Sequence, residues 1–190
     1  WLLYQRCPPG VAALDAESPM IFLNGPLVGT HAQAPNNLTL TFKNVSTGFT
    51  VGRSHTHGFF GPNLRWAGYD GLIVTGRAEK PVYLWINEGK TEIRDAAKIW
   101  GRDTHETEDV VKEEIRQWQA SVAAIGPAGE NMCAGALIEN DKNHSMAHGG
   151  TGTLMGSKRL KAIAVYGRRK SMPIANEELE EEVGKRWRSS

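Results

Sequence analysis

A chain of 190 residues, 40% hydrophobic and 23% charged, can bury one substantial core and has the composition of an ordinary globular protein. Twenty-two basic residues against 21 acidic ones leave a net charge of +1, so no global field favours nucleic acid or an anionic membrane, and any anion site must be local. No apolar run approaches a bilayer span, and the two cysteines, Cys7 and Cys133, lie too far apart in sequence for a zinc knuckle or an iron–sulfur loop and read as reduced thiols of a cytoplasmic protein.

The first residues, Trp1-Leu2-Leu3-Tyr4-Gln5-Arg6, carry no signal-peptide pattern. Met20-Ile21-Phe22-Leu23 reads as a short strand ended by the turn Asn24-Gly25-Pro26. Leu38-Thr39-Leu40-Thr41-Phe42 alternates apolar and hydroxyl residues as a half-buried strand does, with Phe49-Thr50-Val51 as its expected partner across Ser46-Thr47-Gly48. A helix is expected over 60–67 with Leu64 and Ala67 inward. Leu72-Ile73-Val74 is a strand, and Val82, Leu84 and Ile86 share one face of the next, which turns at Asn87-Glu88-Gly89 into Thr91-Glu92-Ile93.

Asp103 followed by Glu106 forms a capping-box pattern. Val111, Ile115 and Trp118 give that helix its expected buried stripe, while Glu106, Glu108, Asp109, Glu113 and Glu114 read as a solvated face. Trp66, Trp85, Trp100 and Trp118 are expected in the core. Val122-Ala123-Ala124-Ile125 and Ala162-Ile163-Ala164-Val165 read as buried strands. Mixed strands and helices with frequent hairpins predict an α+β fold with antiparallel sheets rather than a doubly wound one. Glu177 to Val183 opens a helix that stops without a cap at Ser190, and the absence of an initiator Met makes both ends look cut.

Three glycine-punctuated segments could carry chemistry: 25–30, 54–61 and 144–158. In the last, Gly149, Gly150 and Gly152 would let backbone N–H groups approach an anion, with a helix starting near Thr153 adding its positive end. Tight packing is the alternative use of those glycines. The run is not a nucleoside-triphosphate loop, because Gly156-Ser157-Lys158 stands where Gly-Lys-Ser/Thr is needed. His55 and His57 share a face if extended, and His144 and His148 share one if helical, but no carboxylate beside them completes a transition-metal set. Lys158-Arg159 with Lys161, and Arg168-Arg169-Lys170, are too short for nucleic-acid binding.

Read in order, several blocks resemble one family. They are Gly25-Pro-Leu-Val-Gly-Thr30, Phe60-Gly61 with Leu64-Arg-Trp-Ala-Gly-Tyr-Asp70, and Gly76-Arg-Ala-Glu-Lys-Pro-Val-Tyr-Leu-Trp-Ile86. Glu92-Ile-Arg-Asp-Ala96, Ile125-Gly-Pro-Ala-Gly-Glu-Asn131 and Met155-Gly-Ser-Lys-Arg-Leu-Lys-Ala-Ile-Ala-Val165 follow. Together they resemble the amino-terminal domain of aldehyde ferredoxin oxidoreductases over about residues 2–173. The resemblance implies a duplicated two-sheet base domain over 1–172, the start of a helical domain over 173–190, and a few dozen family residues missing before Trp1.

It further implies that a tungsten (or molybdenum) bis-pyranopterin rests on the base domain. Magnesium would join the pterin phosphates and take the backbone carbonyls of Ser54 and Ser145. Pterin and phosphate contacts would fall on His57, His144, Ala147 and His148, with Gly149 and Gly150 in the same loop. The family oxidises aldehydes to carboxylic acids and passes electrons through a 4Fe–4S cluster to ferredoxin or another electron-transfer protein. The cluster cysteines and the catalytic side chains would lie in later domains, so no catalytic residue is expected here; a homodimer is compatible with the family.

The sequence departs from the family where His144 and His148 replace arginines and Asn37 replaces an arginine joining pterin to cluster. Imidazole offers one donor where guanidinium offers a charged fork, so phosphate neutralisation would shift to magnesium, backbone N–H groups or protonated histidines. Alternatives are a relative acting on a non-aldehyde substrate such as an aromatic acyl thioester, a non-catalytic pterin-binding relative, and a small histidine-metal enzyme.

Overall fold

The computed structural model describes residues 1–32, 35–168 and 172–189; expectations touching Arg169, Lys170 and Ser190 lie outside the described residues. The chain runs α1 (Leu2–Arg6), β1 (Met20–Asn24), β2 (Leu38–Lys43), β3 (Val51–Thr56), α2 (Phe60–Trp66) and β4 (Gly71–Val74). It continues through β5 (Val82–Asn87), β6 (Lys90–Asp95), α3 (Thr104–Ile115), β7 (Ser121–Ala124) and α4 (Pro127–Glu130). The last elements are β8 (Ile138–Asn140), β9 (His144–Met146), α5 (Thr151–Ser157), β10 (Leu160–Tyr166) and α6 (Glu177–Ser189).

Two sheets organise these elements. The first has order β3-β2-β1-β4 and the second β6-β5-β10-β7-β8-β9. Every pairing is antiparallel except β5 with β10, which are joined by a long crossover and run parallel. The expected α+β class is therefore the one observed, with one parallel pair inside the larger sheet.

Period-two alternation puts Leu38, Leu40 and Phe42 of β2 on one face with Met20 and Phe22 of β1. That face packs on Ile163 and Val165 of β10, with Phe60 and Leu64 of α2 and Leu154 of α5 filling the space between the sheets. The Phe22 and Phe60 rings meet at 6.3 Å, tilted by 55°. The opposite face of β10 carries Ala162 and Ala164, which join Tyr83, Trp85, Val122 and Val111 of α3 in a second core. Sandwiched between two cores, Leu160 through Val165 is buried without a break, Lys161 included, as the apolar run Ala162-Ile163-Ala164-Val165 requires.

The strand expected at 49–51 starts at Val51 and runs to Thr56 instead. Asn44 accepts from the N–H groups of Ser46 and Thr47, which commits 44–50 to the turn and leaves Phe49 in solvent. β3 has little apolar alternation because its inward positions must be small. A Cβ on Gly52 would sit 2.6 Å from the Phe42 ring, which already fills that space.

The α3 cap is half as expected. Asp103 accepts from the Glu106 N–H at 2.8 Å, but the Glu106 carboxylate approaches Arg102 at 3.7 Å. α3 ends at Ile115, with Arg116 left-handed, so Trp118 leaves the stripe and is 66% exposed. Glu108 is not solvated: it is buried against Lys112 at 2.7 Å, and burial pushes its carboxyl up while Lys112 opposes the shift. Of the four tryptophans expected in the core, Trp85 is buried and Trp66 and Trp100 are half-buried. Lys158 and Lys161, part of the short basic cluster read from the sequence, are buried. Lys161 donates to the carbonyls of Arg102 and Ile125, both at 2.7 Å, and to Glu130. No helix among the described residues is long and apolar enough to cross a membrane.

Candidate functional site

β3 closes one edge of the first sheet and β9 one edge of the second, and the two strands lie against each other without joining into one sheet. An edge strand keeps one side of its backbone polar groups unused by its own sheet. This seam therefore brings together Ser54, on β3, and Ser145, on β9, from segments distant in sequence. Ser54 turns its side chain inward, whereas Ser145 is exposed.

The seam is fastened by residues that sequence reasoning missed. Asn140, fully buried at the end of β8, accepts from the Thr56 hydroxyl and donates to the His57 carbonyl at 3.0 Å. The next residue, Asp141, accepts from the Phe59 N–H at 2.8 Å and from the Ser121 hydroxyl. Asp141 and Lys142 both take positive φ, 52° and 58°, as the tight β8–β9 hairpin demands. A polar run, Asn140-Asp141-Lys142-Asn143, signals a turn in the sequence; nothing in it signals that Asn140 faces inward.

The glycine-rich loop docks on the same seam. Val45 N–H donates to the Gly149 carbonyl at 2.9 Å. Gly149 and Gly150 take φ of 71° and 81°, and a Cβ on Gly150 would stand 2.7 Å from Val45 Cβ and 3.0 Å from the Ala134 carbonyl oxygen. Gly152 serves packing: its N–H donates to the Ala136 carbonyl, and a Cβ there would meet the Leu137 backbone at 2.4 Å. α5 begins at Thr151, two residues before the expected Thr153, and all seven of its residues are buried. In its first turn the Gly152 N–H is taken by the Ala136 carbonyl.

Gly58, with φ of 82°, is the close-contact point between the two arms; a Cβ there would lie 2.6 Å from the His144 ring and 2.7 Å from Asp141 Oδ2. His57 is exposed, His144 and Ala147 are half-buried, and His148 is exposed with φ of 67°. His144 and His148 do not share a helical face, because one lies on β9 and the other in the loop beyond it. Among the described residues no three His, Cys, Asp or Glu side chains converge as a metal-ligand set. The donors available at the seam are backbone oxygens of edge strands, which suit a hard cation such as magnesium rather than zinc or copper.

Asn37 is not at the seam but on the open face of the first sheet, before β2, where its Oδ1 lies 3.2 Å from His55 Nδ1. His55 Nδ1 is also 3.1 Å from the Thr39 hydroxyl. The face forms a depression of about 650 Å³ that includes Asn37, Thr39, Thr41, Arg53 and His55. A second depression of about 660 Å³ lies between α2 and α3, lined by Phe59, Trp66, Glu108, Lys112, Trp118 and Tyr166. None of the residues expected to bind cofactor lines it.

A family model described as the aldehyde ferredoxin oxidoreductase N-terminal domain matches residues 1–167. The tungsten-containing aldehyde ferredoxin oxidoreductase of Pyrococcus furiosus is 43% identical over 178 residues, covering 94% of this chain and 29% of that protein. The protein of the same name from Thermococcus kodakarensis is 41% identical, with the same coverage, 94% and 29%. The solved active-site complex BamBC of benzoyl coenzyme A reductase, bound to 1,5-dienoyl-CoA, contains a similar domain. The likeness has a TM-score of 0.88 at 39% identity and covers 93% of this chain and 27% of that one. This chain thus spans less than a third of the length of these relatives. With the blocks in order, the two sheets and most of the chain aligned, it belongs to the aldehyde ferredoxin oxidoreductase family, as that family's amino-terminal domain.

Proposed function

We propose that this domain seats a tungsten bis-pyranopterin, with molybdenum as the alternative metal, in a longer oxidoreductase that converts aldehydes to carboxylic acids. The observation that carries the reading is the seam, where the 54–58 segment and the 144–150 loop, remote in sequence, are locked together by Asn140 and Asp141. The backbone carbonyls of Ser54 and Ser145 are the oxygen donors assigned to magnesium. In this reading His57, His144, Ala147 and His148 contact the pterin and its phosphates, Gly149 and Gly150 shape the loop, and Asn37, on the open sheet face, takes the place of the arginine that joins pterin to cluster. Imidazole N–H and backbone N–H groups take the positions where guanidinium forks would otherwise neutralise phosphate.

When bound, the metal centre supplies the two-electron chemistry by which an aldehyde and water give a carboxylic acid, two protons and two electrons. The chain's own residues bind and orient; none of them is assigned a catalytic step. A 4Fe–4S cluster held by later parts of the protein would carry the electrons to ferredoxin. The tungsten-containing aldehyde ferredoxin oxidoreductases, similar at 43% and 41% identity, favour aldehydes as the substrate class.

The test is metal and pterin analysis of the full-length protein purified without oxygen, together with aldehyde-dependent reduction of ferredoxin. About one tungsten or molybdenum per chain, with pterin, is expected. Protein that incorporates neither metal nor pterin in cells supplied with both would refute the reading.

A further inference from the structure

One aromatic ring touches both halves of the seam. Phe42, near the end of β2 and fully buried, lies opposite Gly52 in the β2–β3 register. A Cβ on Gly52 would stand 2.6 Å from Phe42 Cε2 and Cζ. The same edge of the ring faces Gly149 of the glycine-rich loop, where a Cβ would stand 3.0 Å from Cζ and 3.3 Å from Cε2. Two glycines from distant segments thus share one ring edge. Gly52 has no room for a methyl group, and Gly149 has it only if the ring or Asn44 gives way.

An aromatic ring across from a strand glycine can simply support a strand that lacks a side chain, and that use involves β2 and β3 alone. It gives no reason for Gly149 to come to the same edge at a φ of 71°, with its carbonyl accepting from the Val45 N–H at 2.9 Å. Val45, just past the end of β2, ties the loop to the strand that carries the ring. The ring also stands where its position matters. β3 turns Gly52, Ser54 and Thr56 inward; Gly52 rests on the ring and Thr56 donates to Asn140, so Ser54 lies between two fixed points. On the other side, Ser145 and its buried neighbour Met146, which shares a core with Phe42, lead into the loop that ends on the ring. Phe42 and Gly52 are both buried, so the contact is internal to this domain.

We propose that the Phe42 ring is the spacer of the seam: wedged between Gly52 and Gly149, it fixes the separation of β3 from the 144–150 loop and is thereby a positioning residue for the Ser54 and Ser145 carbonyls. The positioning role rests on the cofactor reading above; the wedge itself does not.

The test is a double-mutant cycle in the full-length protein, with hydrogen exchange at Val45 as one readout and pterin content as the other. Gly52→Ala adds a methyl whose three nearest neighbours are all atoms of the ring, so the ring must move towards the loop. Phe42→Leu removes the ring and leaves the loop without its stop. Each should speed exchange of the Val45 amide about tenfold, while amides of β10 change far less. In Phe42→Leu with Gly52→Ala the new methyl takes up part of the vacated space. The double variant should therefore exchange at least about threefold more slowly than the two single effects combined would give. Pterin per chain should follow Val45 exchange across the four proteins and not their denaturation midpoints.

Strictly additive effects at Val45, or equal losses at Val45 and throughout β10, would mean that the ring only fills the core and would overturn the proposal. Pterin content that follows the denaturation midpoint instead would overturn the positioning role. Wild-type protein that never acquires pterin sinks the cofactor reading, and the exchange cycle then decides the wedge by itself.

Discussion

Replacing Asn140 by Leu tests the seam directly. Asn140 is fully buried, and its amide meets the Thr56 hydroxyl, the His57 carbonyl at 3.0 Å and Asp141 Oδ2 at 3.1 Å. Leu keeps the branched heavy-atom skeleton of Asn with bulkier methyl groups at its ends, so the substitution removes the polar contacts without opening a cavity. The Thr56 hydroxyl keeps only a long 3.5 Å approach to the His57 carbonyl in a buried place, and a group so poorly satisfied costs about 1–3 kcal/mol. The His57 carbonyl belongs to an exposed residue and can recover water, so it adds less. A net loss of about 2 kcal/mol at the seam follows, equivalent to about 30-fold in a local opening equilibrium.

The Phe59 amide reports on it, because its N–H donates to Asp141 Oδ2 across the seam. Hydrogen exchange followed by mass spectrometry on the full-length protein should show peptides containing Phe59 exchanging about 30-fold faster. Amides of β10, buried between the two cores, should change far less. Unchanged protection at Phe59, or an equal loss at Phe59 and throughout β10, would refute the assignment of Asn140 as the local fastener.

Three further outcomes are expected. Gly150→Val forces a side chain at φ of 81° into Val45 and the Ala134 carbonyl, so the loop must shift; full-length protein should lose most of its pterin, whereas Gly135→Ala, with open space around it, should not. Lys161→Met leaves the Glu130 carboxylate buried without its partner and should cost about 3–5 kcal/mol in chemical denaturation, while Lys161→Met with Glu130→Gln should recover much of it; no recovery would contradict the pairing. Burial, with Arg77 nearby, lowers Lys158 to about 8. A folded value below the unfolded one means that the cost of the buried charge is present in full below about 8 and is relieved as pH rises from there towards 10.5. The melting temperature of the wild type relative to Lys158→Met should therefore rise between pH 8 and 10, and parallel profiles would reject the account.

The elements with strong local patterns were legible before the coordinates. Met20–Asn24, Leu38–Lys43, Phe60–Trp66 and Val82–Asn87 emerge close to their expected bounds, because alternation, helical spacing and turn residues all act over a few neighbours. β3 and the β8–β9 hairpin were not legible. β3 buries Gly52, Ser54 and Thr56, and such small inward residues make no apolar signal; what they fit is the Phe42 ring on another strand. Trp118 was misjudged because α3 stops at Ile115, one turn before the periodic reading assumed. Glu108 was read as solvated, and the burial of Lys158 and Lys161 went unforeseen, because a sequence shows a side chain's charge and not the partner that permits its burial.

The candidate site divides in the same way. From the order of its blocks the chain by itself determined the family and the two-sheet class, and it pointed to the segments around Ser54 and Ser145 as the proposed ligand-holding turns. Only the tertiary structure decided that those segments lie on strands that meet between two sheet edges, and that Asn37 stands apart from them on the open face of the first sheet. The physical reason is range. Propensity and periodicity are written in residues a few positions apart, whereas a shared seam depends on which distant strands end up as edges and on which buried amide, here Asn140, holds them in place.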